Sequence, residues 1–317
     1  DILSMSIPLG PFPENILSFI GKLALKNIYG DIIKKHGKPE IIHAHFSGIG
    51  FMATILKDQM RAPLVITEHG SNINKPHLNK KRKKRAIEAY KNSDRLISVS
   101  SNLGNIIQNH FNIKSEIVHN IVDTNSFNFV KRDGGEIFNY ISVGNLIQGK
   151  GFNTLINAFY KAGFGENVKL IIIGDGPEYN NLQKQISDLD LNNKVQLLGF
   201  MEREDISKVM HKSNAFVLAS RSETFGVVYI EALATGLPVI ATSCGGPEDF
   251  INNRNGILVP VDDINKLAKA LNEMYVSIDR FDRKLISEEC KRNFSPDIIA
   301  SKLTEIFQGV LSEVTRI

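Results

Sequence analysis

Short apolar runs rich in β-branched residues alternate with helix-period segments along most of the chain. In the first part these runs read EIIHAHF, PLVITEH, RLISVS and SEIVHN. Helical periodicity fills the segments around 14–36, 48–60, 78–92 and 102–111. This alternation is typical of βαβ units, in which helices cover both faces of a parallel sheet. The pattern therefore predicts an α/β protein.

A second series of such runs follows a polar, glycine-bearing segment, NIVDTNSFNFVKRDGGE. The runs read FNYISVGN, VKLIIIGDG, KVQLLGF, NAFVLAS, LPVIATS and GILVP. We predict two Rossmann-like domains over 1–125 and 137–295, joined by a linker over 126–136. A C-terminal amphipathic helix is predicted over 296–317, and its return to the first domain is an open alternative.

The first series is short for a complete doubly wound domain. It has four strands, lacks a glycine-rich turn after its first strand, and opens at Asp1 without an initiator methionine. We therefore expect the first strands of the N-terminal domain to be missing from this chain.

The amino-acid composition limits the classes of protein to which this chain could belong. With 317 residues and 42% hydrophobic residues, the chain can bury the cores of two domains. Two cysteines without a CxxC spacing argue against a disulfide framework and a zinc site. No apolar stretch approaches the roughly 18 residues needed to span a bilayer, and the start lacks the order of a signal peptide. The expectation is a soluble, cytoplasmic protein.

Charge is distributed unevenly along the chain. Residues 1–133 carry 19 Lys and Arg against 11 Asp and Glu, whereas the remainder carries 19 against 23. Much of the basic excess lies in one run that includes Lys80 to Arg85. A solvated helix face is one interpretation, and attraction to an anionic membrane surface is another. Nucleic acid is not expected, because no recognition motif or interleaved aromatic residues accompany the run.

Ligands of open α/β sheets bind beyond the carboxyl ends of the strands, so the loops of the second series are the candidate site. Five of these loops contain or adjoin glycine, which lets a ligand approach the backbone closely. Lys150, between two glycines in NLIQGKGFNTL, is placed to neutralise phosphate charge. An exposed lysine without such a role is the alternative.

The stretch SETFGVVYIE places Glu223 and Glu231 on either side of an apolar segment. We predict a turn at Glu223 and a helix from about 225 to near 236, with Glu231 on a face distinct from the core. Free amides near Phe225 and Gly226 would favour a diphosphate at the positive end of that helix. The carboxylates could then accept hydrogen bonds from sugar diols, although two ordinary surface acids remain an alternative.

These motifs resemble the retaining GT-B glycosyltransferases of glycosyltransferase family 4. The resemblance rests on VGNLIQGKG, IIIGDGPE, VQLLGF, SRSETFGVVYIEALATGLPVIATSCGGPEDFI and NGILVP, which occur in the family's order and spacing. IIHAHFSG, VITEHG and VHNIVD look like segments of its first domain. The resemblance implies two Rossmann-like domains that face each other across a cleft, and sugar transfer from a nucleoside diphosphate sugar with retention.

The resemblance also assigns residues. It implies catalytic roles for Lys150 at the leaving diphosphate, Glu223 at the donor sugar and His69 at the transferred sugar. It implies no metal and no cofactor, so His43 and His45 are interpreted as packing and cleft-lining residues. The implied donor-binding residues are Asn145, Gly174, Gly176, Phe200, Met201, Phe225, Gly226, Val227 and Glu231.

Two positions depart from the family pattern. Asn145 stands where an arginine often pairs with the lysine, and Ile121 stands where glycine is usual. We expect a nucleotide-sugar donor and a polysaccharide, lipopolysaccharide or glycolipid acceptor, with the chain on the inner face of a membrane as one setting. A nucleotide-sugar epimerase or phosphorylase on the same fold, and a catalytically silent binding subunit, remain alternatives.

Overall fold

The computed structural model describes residues 14–70, 73, 79–131 and 135–314. The chain divides into a first unit, formed by Asp1–Val118 and Ser301–Ile317, and a second unit, His119–Ala300. Each unit contains one sheet of parallel strands, which confirms the predicted α/β class. The linker predicted over 126–136 stays a prediction.

The first unit alternates strands and helices, and its sheet has the order β1-β2-β3-β4. All five residues of β2 are buried, as expected for a strand covered on both faces of a parallel sheet. Its elements are α1 (Glu14–His36), β1 (Ile42–His45), α2 (Phe46–Met60), β2 (Leu64–Glu68), α3 (Lys80–Asn92), β3 (Arg95–Ser98), α4 (Ser101–Phe111) and β4 (Glu116–Ile117).

The second unit is a doubly wound sheet with the order β10-β9-β8-β5-β6-β7. Chain order reverses between β5 and β8, which makes their carboxyl ends the topological switch point at which such folds bind ligands. Its strands are β5 (Phe138–Val143), β6 (Val168–Ile173), β7 (Val195–Leu197), β8 (Ala215–Leu218), β9 (Val239–Thr242) and β10 (Gly256–Val259). Its helices are α5 (Phe152–Ala162), α6 (Tyr179–Asp188), α7 (Arg203–His211), α8 (Val227–Ala234), α9 (Ile264–Val276) and α10 (Arg283–Phe294), and α11 (Pro296–Val314) follows.

Local signals explain why helices begin where they do. The side chain of Ser100 accepts a hydrogen bond from Leu103 N at 3.1 Å, and the side chain of Asp263 accepts one from Lys266 N at 2.8 Å. Such N-caps satisfy amides that have no partner within the helix. They fix where α4 and α9 leave the sheet, and so fix the lengths of the loops before them.

All ten predicted strands are present, but in shorter form. SEIVHN contributes only Glu116–Ile117, and KVQLLGF only Val195–Leu197, because the outer residues of these runs belong to loops. The predicted helix start at about 225 is wrong by two residues: Gly226 is a left-handed N-cap with φ 91°, and the helix begins at Val227. Within the described part of the chain, no helix has the length and apolar composition needed to cross a membrane.

The core of the second unit contains a buried tyrosine that gives a direct test of the sheet and helix packing. The hydroxyl of Tyr140 on β5 donates to Leu271 O on α9 at 2.6 Å. Loss of a buried hydrogen bond costs about 1 kcal/mol. We therefore expect Tyr140→Phe to lower the free energy of unfolding by about that amount in urea denaturation followed by circular dichroism. Tyr160→Phe is the control, since Tyr160 is 55% exposed; an equal loss in both variants would contradict the prediction.

Candidate functional site

The switch point of the second unit brings together two side chains that are 73 positions apart in the chain. Lys150 ends a short 3₁₀ helix, Gln148–Lys150, after β5, and Glu223 lies in the loop after β8. Because β5 and β8 are neighbours in the sheet, these loops meet, and Lys150 Nζ lies 2.6 Å from Glu223 Oε1. Two residues predicted to be catalytic are therefore adjacent.

Glu223 is held by several hydrogen bonds, and it is only 9% exposed. Ser220 Oγ donates a hydrogen bond of 2.7 Å to Oε1, the same oxygen that contacts Lys150. On the backbone, Glu223 N donates to Cys244 O at 3.0 Å, and Gly246 N donates to Glu223 O at 2.9 Å. A buried carboxylate needs such partners, so the pair presents a fixed acid beside a cation able to meet an anionic ligand.

The loop that carries Lys150 is fastened by Arg221, which follows β8. Arg221 N donates to Gly149 O at 2.8 Å, and its Nη1 donates to Gln148 O at 3.0 Å. Its Nε contacts Asp262 Oδ1 at 2.9 Å. Arg221 lies in the motif SRSETFG, but nothing in the sequence indicates that it holds the lysine loop. These contacts of Arg221 were not predicted from the sequence.

Glu231 lies in a second ion pair. Arg203 Nη2, at the start of α7, is 2.6 Å from Glu231 Oε1. Glu231 is 6% exposed and α8 is buried from Tyr229 onward. That Glu231 points along a face distinct from the core stays a prediction, and its burial is not indicated by the sequence. Burial raises the pKa of the Glu231 carboxyl, and the Arg203 guanidinium opposes that rise. Arg203 was not among the predicted site residues.

The start of α8 combines a glycine with an anchored aromatic ring. At Gly226, an added Cβ would lie 2.6 Å from the Tyr229 ring, so only glycine fits the turn. Phe225 is buried against His119, with ring centroids 5.4 Å apart, and against Phe250 at 5.1 Å. Its side chain therefore anchors the loop, and its backbone packs against Gly246, where an added Cβ would lie 2.6 Å from Phe225 N. Val227 is the first helical residue.

The remaining predicted donor-binding residues follow β5, β6 and β7 at the same edge of the sheet. Gly174 has φ 148°, and a Cβ there would lie 1.9 Å from Gly144 O, so this glycine lets two loops approach each other. Phe200 is 71% exposed, which is unusual for so large an apolar side chain. The other predicted residues along this edge are Asn145, Gly176 and Met201.

His69 lies in the first unit, directly after β2. Its Nε2 is 2.9 Å from His45 Nδ1, and the two rings are stacked with centroids 5.1 Å apart. The preceding residue, Glu68, is buried and accepts hydrogen bonds from Gly70 N at 2.6 Å and from Tyr90 Oη at 2.6 Å. These bonds fix the backbone on both sides of His69.

His43 completes this histidine cluster on β1. It contacts Thr67 Oγ1 at 2.8 Å, and burial, with His45 and His69 nearby, lowers its pKa to about 4. It is therefore neutral at physiological pH. Among residues 14–70, 73, 79–131 and 135–314, no group of three or more His, Cys, Asp or Glu side chains is arranged to hold a metal ion. The metal-free, cofactor-free site stays a prediction.

Comparison with known proteins identifies the family. The family model described as Glycosyl transferases group 1 matches residues 123–286, and the one described as Glycosyltransferase Family 4 matches residues 4–126. The uncharacterized glycosyltransferase MJ1178 of Methanocaldococcus jannaschii is 31% identical over 248 residues, which is 77% of this chain and 67% of MJ1178.

Two further comparisons name a setting and a ligand. The lipopolysaccharide core biosynthesis glycosyltransferase LpsE of Rhizobium meliloti is 33% identical over 135 residues, 42% of this chain and 38% of LpsE. Among solved structures, Anabaena HepE in complex with UDP has a TM-score of 0.78 at 21% identity, and the match covers 90% of this chain and 83% of HepE. The fold is GT-B, and the chain belongs to the group 1 glycosyl transferases of glycosyltransferase family 4.

Proposed function

We propose that this chain transfers a sugar from a nucleoside diphosphate sugar to an acceptor hydroxyl, with retention at the anomeric carbon. The observation that carries the proposal is the Lys150–Glu223 pair, 2.6 Å apart at the switch point of the second unit. The lysine can neutralise the diphosphate of such a donor, and the adjacent glutamate can accept hydrogen bonds from the hydroxyls of its sugar. The likeness to HepE, whose structure contains UDP, supports a nucleoside diphosphate.

We assign a protein contact to each part of the donor along the carboxyl edge of the second unit's sheet. Glu231 accepts hydrogen bonds from the ribose hydroxyls, and Glu223 accepts them from the donor sugar. The diphosphate lies at Lys150 and at the start of α8, where backbone amides of Phe225 and Gly226 and the positive end of the helix dipole favour negative charge. Further donor contacts are proposed for Asn145, Gly174, Gly176, Phe200, Met201 and Val227.

The chemical step is a front-face substitution. The acceptor oxygen bonds to the anomeric carbon while that carbon's bond to the phosphate oxygen breaks, and the bonding electron pair leaves with the diphosphate. The acceptor proton passes to the departing phosphate oxygen. Lys150 stabilises the charge that develops there, the kind of electrostatic stabilisation that contributes most in many enzymes. His69 contacts the transferred sugar, and no metal or cofactor takes part.

The proposed acceptor is a growing polysaccharide, lipopolysaccharide or glycolipid. LpsE, named for lipopolysaccharide core biosynthesis, supports this class of acceptor. We further propose that α3 rests on an anionic membrane surface on the cytoplasmic side. Its first six residues, Lys80 to Arg85, are all basic, and the first five are exposed.

The first test removes the two charges assigned to the donor. Lys150→Met and Glu231→Ala are each expected to lower transfer by at least about 10²-fold, because each removes an electrostatic contact with the bound donor. Lys184→Met is the matched control, since Lys184 is an exposed lysine that also contacts a carboxylate, Asp188 Oδ2 at 2.5 Å. The assay measures release of free nucleoside diphosphate, with and without EDTA, and the anomeric configuration of the product.

The same assay separates the alternatives. Unchanged turnover in either variant would contradict the proposed site. An isomerised sugar without transfer indicates an epimerase, and sugar phosphate as the product indicates a phosphorylase. Tight donor binding without consumption, in the presence of lipid-linked acceptor, indicates a silent binding subunit.

The second test concerns the basic helix. Lys83→Glu combined with Lys84→Glu should abolish co-sedimentation with phosphatidylglycerol-containing vesicles, because each lysine near such a surface contributes about 1 kcal/mol. Lys266→Glu with Lys269→Glu on α9 is the matched control, since both lysines are exposed. Equal binding of the wild type to neutral phosphatidylcholine vesicles would contradict an electrostatic membrane contact.

A further inference from the structure

One face of α7 is fastened to the chain segment 126–128. Arg203, Ser207 and His211 are spaced four residues apart, so they lie along one side of the helix. Each contacts one residue of the segment, and this triple contact holds α7 against the segment. The contacts are Ser207 Oγ to Ser126 O at 2.5 Å, His211 Nε2 to Asn128 O at 2.7 Å, and the Arg203 guanidinium over the Phe127 ring at 5.2 Å.

The Arg203 guanidinium therefore has two partners in the second unit. It lies over Phe127, which is fully buried, and it contacts Oε1 of Glu231 at 2.6 Å. A guanidinium over an aromatic ring is attracted by the ring quadrupole. The arginine is held in place from one side while it contacts the carboxylate on the other, although 59% of its side chain is exposed.

We propose that Arg203 is a positioning residue for donor binding, which fixes one oxygen of Glu231 and keeps the carboxylate charged so that it can accept the ribose hydroxyls. This inference rests on the proposed function, since it assigns Glu231 to the ribose. An ionised carboxylate only accepts hydrogen bonds and is a stronger acceptor than a neutral carboxyl. With Oε1 taken by Arg203, Oε2 is the proposed acceptor for the ribose hydroxyls.

The charges around Glu231 show why it needs this partner. Burial is the largest effect, and it raises the pKa of the Glu231 carboxyl; Asp123 raises it further, whereas Arg203 lowers it. Asp123 stays ionised, because the Ser126 hydroxyl and two backbone amides that donate to it lower its pKa. Without Arg203, both burial and Asp123 would favour the neutral form of Glu231.

Helix α10 packs against α8, and its Cys290 contacts the backbone of the residue before Glu231. Cys290 donates its thiol hydrogen to Ile230 O at 3.2 Å, and burial raises the pKa of that thiol to about 12. The thiol is therefore neutral at physiological pH. The positive charge beside Glu231 comes from α7.

An alternative role for Arg203 predicts the opposite effect of its removal on donor binding. If Arg203 simply filled the ribose site in the absence of donor, its removal would strengthen donor binding. A positioning residue predicts weaker binding on removal, together with a changed pH dependence. The direction of the pH effect follows from the ionisation of the Glu231 carboxyl. Donor affinity falls as pH falls, because Glu231 is then protonated. Since removal of Arg203 raises the pKa of this carboxyl, the loss of affinity begins at a higher pH.

The experiment compares Arg203→Met and Arg203→Lys with the wild type. The binding of UDP, GDP and ADP is measured by calorimetric titration, and transfer kinetics are measured with UDP-, GDP- and ADP-sugars. Both measurements are made across a pH series. For the Met variant we expect KM and nucleotide Kd about tenfold higher, the effect of one charged hydrogen bond, with kcat within about twofold. Its loss of affinity at low pH should begin at higher pH than in the wild type. Lysine should restore part of the affinity and the wild-type pH dependence.

Arg280→Met is the matched control, because Arg280 also lies over an aromatic ring, Phe281 at 4.6 Å, and contacts a carboxylate, Glu273 Oε1 at 3.0 Å. It should leave KM and the pH profile unchanged. Unchanged or lowered KM in Arg203→Met, or an unshifted pH profile, overturns the inference. If the wild type consumes none of the donors while Arg203→Met still weakens nucleotide binding, the proposed function fails and the inference about binding stands.

Discussion

Two glutamates buried at the carboxyl edge of one parallel sheet are the constraint on which this site depends. A carboxylate can be removed from water only when hydrogen bonds and an opposite charge replace the solvent. Glu223 obtains them from Ser220 and Lys150, and Glu231 from Arg203. Each cation comes from a different element than its acid, Lys150 from the 3₁₀ helix after β5 and Arg203 from the start of α7. The need to pair the acids therefore fixes how the loops after β5, β7 and β8 are arranged.

The strand order of the second unit makes this pairing possible. Because β5 and β8 are neighbours at the point where chain order reverses, the lysine after one strand reaches the glutamate after the other. Supporting contacts then restrict each cation: Arg221 holds the loop of Lys150, and Phe127 lies beneath Arg203. In the first unit, hydrogen bonds to Glu68 fix the backbone around His69 in a similar way. Each of these residues is thus held by contacts within its own unit.

Much of the fold follows from periodicity, while the pairing of side chains does not. Ten apolar runs and the helix-period segments between them predict the α/β class, because strand and helix repeats are local properties. The motifs around Lys150, Glu223 and Glu231 predict which loops matter. The partners of these residues depend on which strands become neighbours, so the sequence indicates neither the Lys150–Glu223 contact nor the role of Arg221. Arg203 lies in FMERED, where nothing local marks one charged residue over the next. The burial of Glu231 was also missed, since an acid on a helix is usually exposed.

A crystal structure of the chain with a bound nucleoside diphosphate tests the central claim most directly. The account predicts the ribose hydroxyls within hydrogen-bond distance of Glu231, with Arg203 still in contact with that carboxylate, and the diphosphate between Lys150 and the start of α8. A nucleotide bound at another edge of the sheet, a ribose with no hydrogen bond to Glu231, or a ribose that displaces Arg203 from that carboxylate would contradict it.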